Sequence, residues 1–401
     1  MNRITEIKYL FIITVIFIAA CIETDIYLPA FPDMMKAFAV SESTIQGLLT
    51  WNFVGICIAG PFYGPISDSL GRKKPLLVAL ILFFSGSLLT LFAADFSQMI
   101  AGRILQGLGS GGCFTLGTAI IFDAFQKEKA VQALNSLNMA IPIIMSLAPM
   151  VGGFLNYTYG FRSNFLLIAA FVLLSLFLCL LFFTESLPKE KRLPFQVSCI
   201  MKDFKKVLLH SAFWQITFAT SLLFAGYIAF LSYTGVLFVS ELGISKNFSP
   251  FFQVLILCTW TVAGLFLRKS LASLGGQRIK KLGLVLCVIG AVGFLVTSAL
   301  ADRNPYLLVG FFLPYIFGAN WVFGLYFPEA MELLPDIKGV TASLVTSARL
   351  LIAALTVGLT SALYNGTIFP LVIVIVGTLF VILPCLIFYE KQALLAEKQD
   401  G

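Results

Sequence analysis

Gly64-Pro65-Ile66-Ser67-Asp68-Ser69-Leu70-Gly71-Arg72-Lys73-Lys74-Pro75 joins two apolar runs, 43–66 and 75–94. Each run is long enough to cross a hydrocarbon core, which takes about 20 residues as a helix. Gly64 and Gly71 allow close helix approach and a tight turn. Asp68 at a helix end can face the positive N-terminus of another helix, and Arg72 can pair with a carboxylate on a neighbouring span. Lys73 and Lys74 need be no more than solvated charge.

The rest of the chain repeats the pattern of long apolar runs divided by short basic loops. Of 401 residues, 59% are hydrophobic and 12% charged, with forty Phe, and the mean hydropathy is +0.95. Soluble domains hold roughly 45–50% apolar and about 25% charged residues. A cytosolic enzyme, a disordered chain and a disulfide-rich secreted domain are excluded. Eight Cys include no CxxC pair and seven lie within apolar runs, so they read as small packed thiols. Neither metal nor cofactor is expected, and the basic balance is no sign of nucleic acid.

Apolar windows place spans at 9–29, 43–66, 75–94, 97–122, 130–156, 162–184, 211–239, 247–270, 279–301, 305–329, 340–364 and 367–389. Continuous apolar runs exclude barrel strands, which alternate, so an all-α membrane protein of twelve transmembrane helices is expected. Arg3 and Lys8 before Ile18-Ala19-Ala20-Cys21 resemble a lipoprotein leader, but the run is read as the first span. With the N-terminus inside, 21 of the 27 Lys and Arg fall on the cytoplasmic side and four (Lys36, Arg162, Lys246, Arg303) outside. Both termini are therefore expected in the cytoplasm. The polar stretch 185–210 is expected to link a six-helix half, 1–184, to a second, 211–401. Ser69-Leu70-Gly71-Arg72 is echoed by Ser273-Leu274-Gly275 with Arg278 about half a chain later, although Ala272 stands where Asp68 would. Paired halves are the plan of secondary transporters.

The loop resembles the G-x-x-x-D-x-x-G-R-[KR] signature of the major facilitator superfamily, with Ser69 where Arg is usual. Asp25-Ile26-Tyr27-Leu28-Pro29-Ala30-Phe31-Pro32 is similar to the D-x-Y-L-P-x-x-P stretch of Bcr/CflA-type drug transporters. Arg103-Ile104-Leu105-Gln106-Gly107 is similar to their R-x-x-Q-G motif. Pro149, Gly152 and Gly153 resemble the antiporter motif G-P-x-x-G-G, with Ala148 in place of the first Gly. The resemblance implies the major facilitator fold, proton-coupled antiport in a bacterial inner membrane, a chain acting as a monomer, and a cytoplasmic gate of Gly64, Asp68, Gly71, Arg72 and Asp123 in which Arg72 and Asp123 pair. It is strong in the first half and only a matter of pattern in the second.

Glu23, Asp25 and Arg103 lie at similar depths in spans 1 and 4. A charge within the membrane costs at least about 2.5–3.5 kcal/mol and should find a partner or water. One carboxyl can answer Arg103 while the other exchanges a proton. Glu23 and Asp25 are about 200° apart around a helix, so they should do different jobs. Asp25, just before the bend expected at Pro29, reads as the partner of Arg103, and Glu23 as the group that meets substrate; Asp25 could instead only cap its span. His210, the sole His, reads as a solvated loop residue. Arg349, near the middle of span 11, could face an anionic group of the substrate or pair with a backbone or polar neighbour.

The substrate surface is expected to include Glu23, Asn52, Tyr227, Tyr233, Trp260, Asn320, Trp321 and Arg349, since such sites are mostly apolar with a few polar groups. Asn135, Asn138 and Pro142 can serve helix packing. No Walker motif occurs, and Gly107-Leu108-Gly109-Ser110-Gly111-Gly112 reads as a packing surface inside span 4. The expected function is proton-coupled export of small amphipathic compounds, not enzymatic chemistry. The alternatives are proton-coupled transport of a nutrient, metabolite or siderophore, and a non-transporting membrane sensor.

Overall fold

The computed structural model describes residues 3–125, 127–192, 197–245, 248–300, 304–334 and 337–400. Fifteen α-helices are described: α1 (Arg3–Asp25), α2 (Phe31–Phe38), α3 (Glu42–Ile45), α4 (Gly47–Leu70), α5 (Lys73–Phe92), α6 (Phe96–Ala124), α7 (Lys127–Tyr159), α8 (Arg162–Phe182), α9 (Val197–Leu208), α10 (Ser211–Val236), α11 (Ser249–Leu274), α12 (Gly276–Ala299), α13 (Pro305–Glu332), α14 (Lys338–Leu363) and α15 (Phe369–Asp400). No strand occurs among the described residues. Helices satisfy every internal backbone N–H and C=O within one segment, which hydrocarbon demands.

Eleven stretches among the described residues are long and apolar enough to cross a membrane. The expected fifth span, 130–156, falls on α7, where Asn135, Asn138 and Pro142 lie outside the described side chains. Span 1 is longer than expected. It runs Glu6–Phe38 and not to residue 29. Pro29 and Pro32 each sit in the first turn of a new helical segment, the 3-10 turn Leu28–Ala30 and then α2. Proline lacks only a hydrogen bond that such a position does not make. The stretch 185–210 is also not simply a linker: it holds α9, whose Lys202, Lys205 and Lys206 alternate with apolar Phe204 and Val207.

Local chemistry sets several helix starts. Asp95 accepts from the Gln98 amide N at 2.8 Å, and Gln98 Oε1 accepts from the Ala94 N at 2.9 Å, a reciprocal cap that opens α6. Asn304 caps α13 through the Tyr306 N at 3.0 Å, with Pro305 in the first turn. His210 is a cap and not a free loop residue: its Nδ1 accepts from the Phe213 N at 3.2 Å and opens α10.

The chain forms two compact units, Met1–Val197 with Ser245–Val254, and Ser198–Ile244 with Leu255–Gly401. In the first, the glycine-rich face of α6 packs against α4 and α5. A Cβ on Gly107 would strike the Asn52 carbonyl of α4, and one on Gly109 would meet Phe83 of α5. This close approach is what brings the polar side chains of α4 and α6 together.

Candidate functional site

α1, α4 and α6 enclose a salt bridge with no exposed surface. Arg103 Nη1 lies 2.8 Å from Glu23 Oε2, and both side chains are 0% exposed. Nη1 also donates to the Glu23 carbonyl at 3.1 Å and to Gln106 Oε1 at 2.7 Å, and Nη2 donates to the Tyr27 hydroxyl at 2.9 Å. The guanidinium lies 4.3 Å from the Tyr27 ring centroid. Glu23 is held from its other side. Asn52 Nδ2 donates to both oxygens at 3.2 and 3.3 Å, and Ser110 Oγ donates to Oε1 at 3.0 Å. Gln106 in turn donates to Ser87 Oγ of α5 at 3.1 Å.

This corrects the pairing read from the sequence. Arg103 takes Glu23, not Asp25, because Glu23 is on the face of α1 turned to α6. Asp25 closes α1, is 3% exposed, and accepts from Thr24 Oγ1 at 3.1 Å. No cation pairs with it among the described residues. Asn52, expected to line a substrate surface, instead belongs to the interior of this network. Ser110, Gln106 and Tyr27 were missed as site residues; Gln106 and Tyr27 stood inside quoted motifs, whereas nothing marked Ser110 within its glycine run. Pro149, Gly152 and Gly153 are buried on α7, and a Cβ on Gly152 would strike the Ile26 carbonyl. The bare glycine lets α7 rest against the end of α1, one residue past Asp25.

At the loop between α4 and α5, Arg72 gathers three carboxylates. Its Nη1 lies 2.6 Å from Asp68 and its Nε 2.7 Å from Asp123, while its backbone N donates to Glu185 at 2.8 Å. Burial works against the charge, but the hydrogen bonds and charges of Asp123 and Asp68 outweigh it and hold the guanidinium above its ordinary range. Gly71 adopts φ +89°, and a Cβ there would press on Glu185 and Arg192. The structure thus brings together Asp68, Gly71, Arg72 and Asp123. Gly64 does not serve close approach: a Cβ there meets nothing within 4 Å.

In the second unit, Tyr227 of α10 stacks on Trp260 of α11 with centroids 4.8 Å apart, and Phe224 and Phe323 flank Trp260. Arg349 of α14 lies between Phe224 and Phe323, at 4.8 and 4.9 Å from their centroids. Three of the expected residues, Tyr227, Trp260 and Arg349, therefore belong to one cluster. Trp321 does not: its Nε1 donates to the Ala263 carbonyl at 2.9 Å and its ring packs in a core with Ile279. A bulky indole facing a sheltered carbonyl is a packing element. Asn320 faces Gly264, and Tyr233 is buried beside Tyr364 at 5.1 Å.

A second charge cluster was missed. Lys280, near the start of α12, lies 2.6 Å from Glu329 and 2.8 Å from Glu390. Glu390 also accepts from the Tyr326 hydroxyl and Gln277 Nε2, each at 2.8 Å. Lys280, Glu329 and Glu390 stand about half a chain after Arg72, Asp123 and Glu185; Glu329 closes α13 much as Asp123 closes α6, whereas Arg72 and Glu185 lie outside helices and Lys280 and Glu390 lie within them. Among the described residues no group of three or more His, Cys, Asp and Glu could hold a metal ion.

Apolar helices long enough to cross a bilayer, packed around a sealed arginine–glutamate pair, define a multi-pass membrane protein. Residues 13–357 match the Major Facilitator Superfamily, and the chain belongs to it. It is 24% identical to the "Bicyclomycin resistance protein homolog" of Haemophilus influenzae, covering 86% of this chain and 87% of that one. It is also 24% identical to "Multidrug resistance protein D" of Escherichia coli, with 86% of each chain covered. Among solved structures, the xylose transporter XylE of E. coli in a partially occluded inward-open conformation aligns with a TM-score of 0.71 at 14% identity, over 94% of this chain and 96% of that one. The protein is a transporter that handles a small molecule within a membrane, and not an enzyme.

Proposed function

We propose that this chain exports small amphipathic compounds in exchange for protons, by alternating access of two six-helix halves, 1–184 and 211–401. In this reading it acts as a monomer with twelve spans in a bacterial inner membrane, both termini in the cytoplasm. The observation that carries it is the contrast between two carboxyls two residues apart. Glu23 is saturated by Arg103, Asn52 and Ser110. Asp25 is buried and makes no ion pair with a described residue. Asp25 is then the group whose proton can come and go, and Glu23 with Arg103 is the fixed counter-charge that holds α1 and α6 in register. Gly152, against the Ile26 carbonyl, lets α7 shelter that end of α1. The cluster of Asp68, Arg72 and Asp123 acts as the cytoplasmic latch, and Tyr227, Trp260 and Arg349 contribute to the substrate surface. The relatives named for bicyclomycin and multidrug resistance favour export over uptake.

The test is a panel of candidate compounds added to everted vesicles under an imposed pH gradient. Compound-dependent loss of the gradient, absent with Asp25→Asn, supports the reading. A gradient that no compound disturbs, while labelled compound still enters the vesicles, removes proton coupling; movement only in the opposite sense makes the chain an importer.

A further inference from the structure

Three basic side chains are buried among the described residues, and each is answered by carboxylate: Arg103 by Glu23 at 2.8 Å, Arg72 by Asp68 and Asp123 at 2.6 and 2.7 Å, and Lys280 by Glu329 and Glu390 at 2.6 and 2.8 Å. Arg349 breaks the pattern. It lies near the middle of the 26-residue α14, its Nε is buried with no hydrogen-bond partner, and it makes no ion pair with a described residue. Its contacts are the faces of Phe224 and Phe323. Ring faces attract a guanidinium through their quadrupoles, but they offer no acceptor for its N–H groups. α10, α11, α12 and α14 contain no Asp or Glu, and those of α13 and α15 occur only from Glu329 and Glu390 onward. No carboxylate of these helices stands at the depth of Arg349. Three other helices, α10, α11 and α13, supply the rings clustered with it, so the residue faces the interior of its unit and not a lipid-covered flank.

We propose that Arg349 receives the carboxylate of an aromatic substrate, whose ring lies along the surface formed by Phe224, Trp260 and Phe323. The planar guanidinium presents parallel N–H donors that match a carboxylate. Contact with both phenyl rings restrains it in advance, so less freedom is lost on binding. Trp260, Phe224 and Phe323 are each partly exposed, leaving ring surface for a substrate to cover. This rests on the transport reading for the site's purpose, but it can be measured without transport.

The experiment is equilibrium binding of 2-naphthoate, its neutral amide 2-naphthamide and the cation 2-naphthylmethylammonium to the purified full-length protein at neutral pH. Wild-type protein should favour the acid over the amide by roughly tenfold or more, the ratio that charge-assisted hydrogen bonds supply, and should bind the cation most weakly. Arg349→Gln should bring acid and amide to parity. Arg349→Lys, with the charge but not the fork, should keep a reduced preference, and its unchanged melting temperature would separate lost recognition from lost folding. Parity in the wild type, or a preference that survives in Arg349→Gln, overturns the proposal. A clear acid preference with no proton exchange in vesicles would leave this site standing and remove the proton-coupled reading instead.

Discussion

Glu23→Gln removes the anion that answers a guanidinium with no exposed surface. Taking one partner from a buried pair costs about 3–5 kcal/mol, so this variant should melt well below wild type and fail with every compound. Asp25→Asn removes no cation's partner and keeps its acceptor for Thr24. It should melt close to wild type, yet release no proton when substrate is added. Thermal melts beside substrate-induced proton release on purified protein check the pair; normal proton release from Asp25→Asn would place the carrier elsewhere. The sequence carried the cast of this site but not its pairing. Depth along a helix is readable from residue counts, and it brought Glu23, Asp25 and Arg103 to one level. Which side of α1 meets α6 was not readable, because α1 is apolar around most of its circumference from Leu10 to Ile22 and no stripe marks the inward face. The same blindness put Trp321 and Asn52 on a substrate surface: both types suit a binding site and a core, and only their neighbours decide.

Glycine roles separate at the scale of elements. The run Gly107–Gly112 reads as a packing surface and is one, with Gly107 seated on the Asn52 carbonyl and Gly109 on Phe83. Gly107→Val should push α4 from α6, drawing Asn52 away from Glu23, and lower both folding yield and melting temperature. Gly64→Ala should do neither, since its side chain would enter open space, and a Gly→Ala change inside a helix is then neutral to stabilising by up to about 1 kcal/mol. Equal damage from both substitutions, in detergent melts of the purified variants, would mean that packing of α6 is not what the glycines provide. Gly71 differs again. Its φ of +89° is needed to turn from α4 into α5 under Glu185, so Gly71→Leu should lower transport while membrane insertion stays normal, as judged by the amount of protein in the membrane fraction. Span positions were legible because length and hydropathy are local properties. The run-on of span 1 to Phe38 and the short α9 were not: two prolines read as an end, and Lys-rich polarity as a linker. A proline in a first turn and a lysine on a solvated helix face both disguise a helix.

The two charge clusters belong to the whole molecule, because they repeat. The echo in the sequence aligns the halves on Ser-Leu-Gly and meets Ala272 where Asp68 has its carboxylate, so it does not point to a second cluster. The second unit places a comparable cluster there with other residues: Lys280 pairs with Glu329 as Arg72 does with Asp123, and Glu390 meets the ammonium itself where Glu185 accepts only from the Arg72 backbone N. A motif search fails here because partners come from three separate helices and two of the three residues differ in type from their first-unit counterparts. If the cluster joins α12, α13 and α15 as Arg72 joins α4, α5, α6 and the segment after α8, its loss should matter as much. Lys280→Ala leaves Glu329 and Glu390 facing each other without their cation, and should slow transport about as strongly as Arg72→Ala while protein levels hold. The specific test is charge reversal. Lys280→Glu alone should be the most damaging, placing a third carboxylate among two. Adding Glu390→Lys restores a cation beside two carboxylates, and should recover a good part of both melting temperature and transport. Coupled neighbours depart from additivity by about 0.5–3 kcal/mol, which a four-variant cycle on purified protein resolves. Strictly additive effects, with the double variant as poor as the sum of its parts, would reduce the cluster to independent charges at the helix ends and leave the latch to the first unit alone.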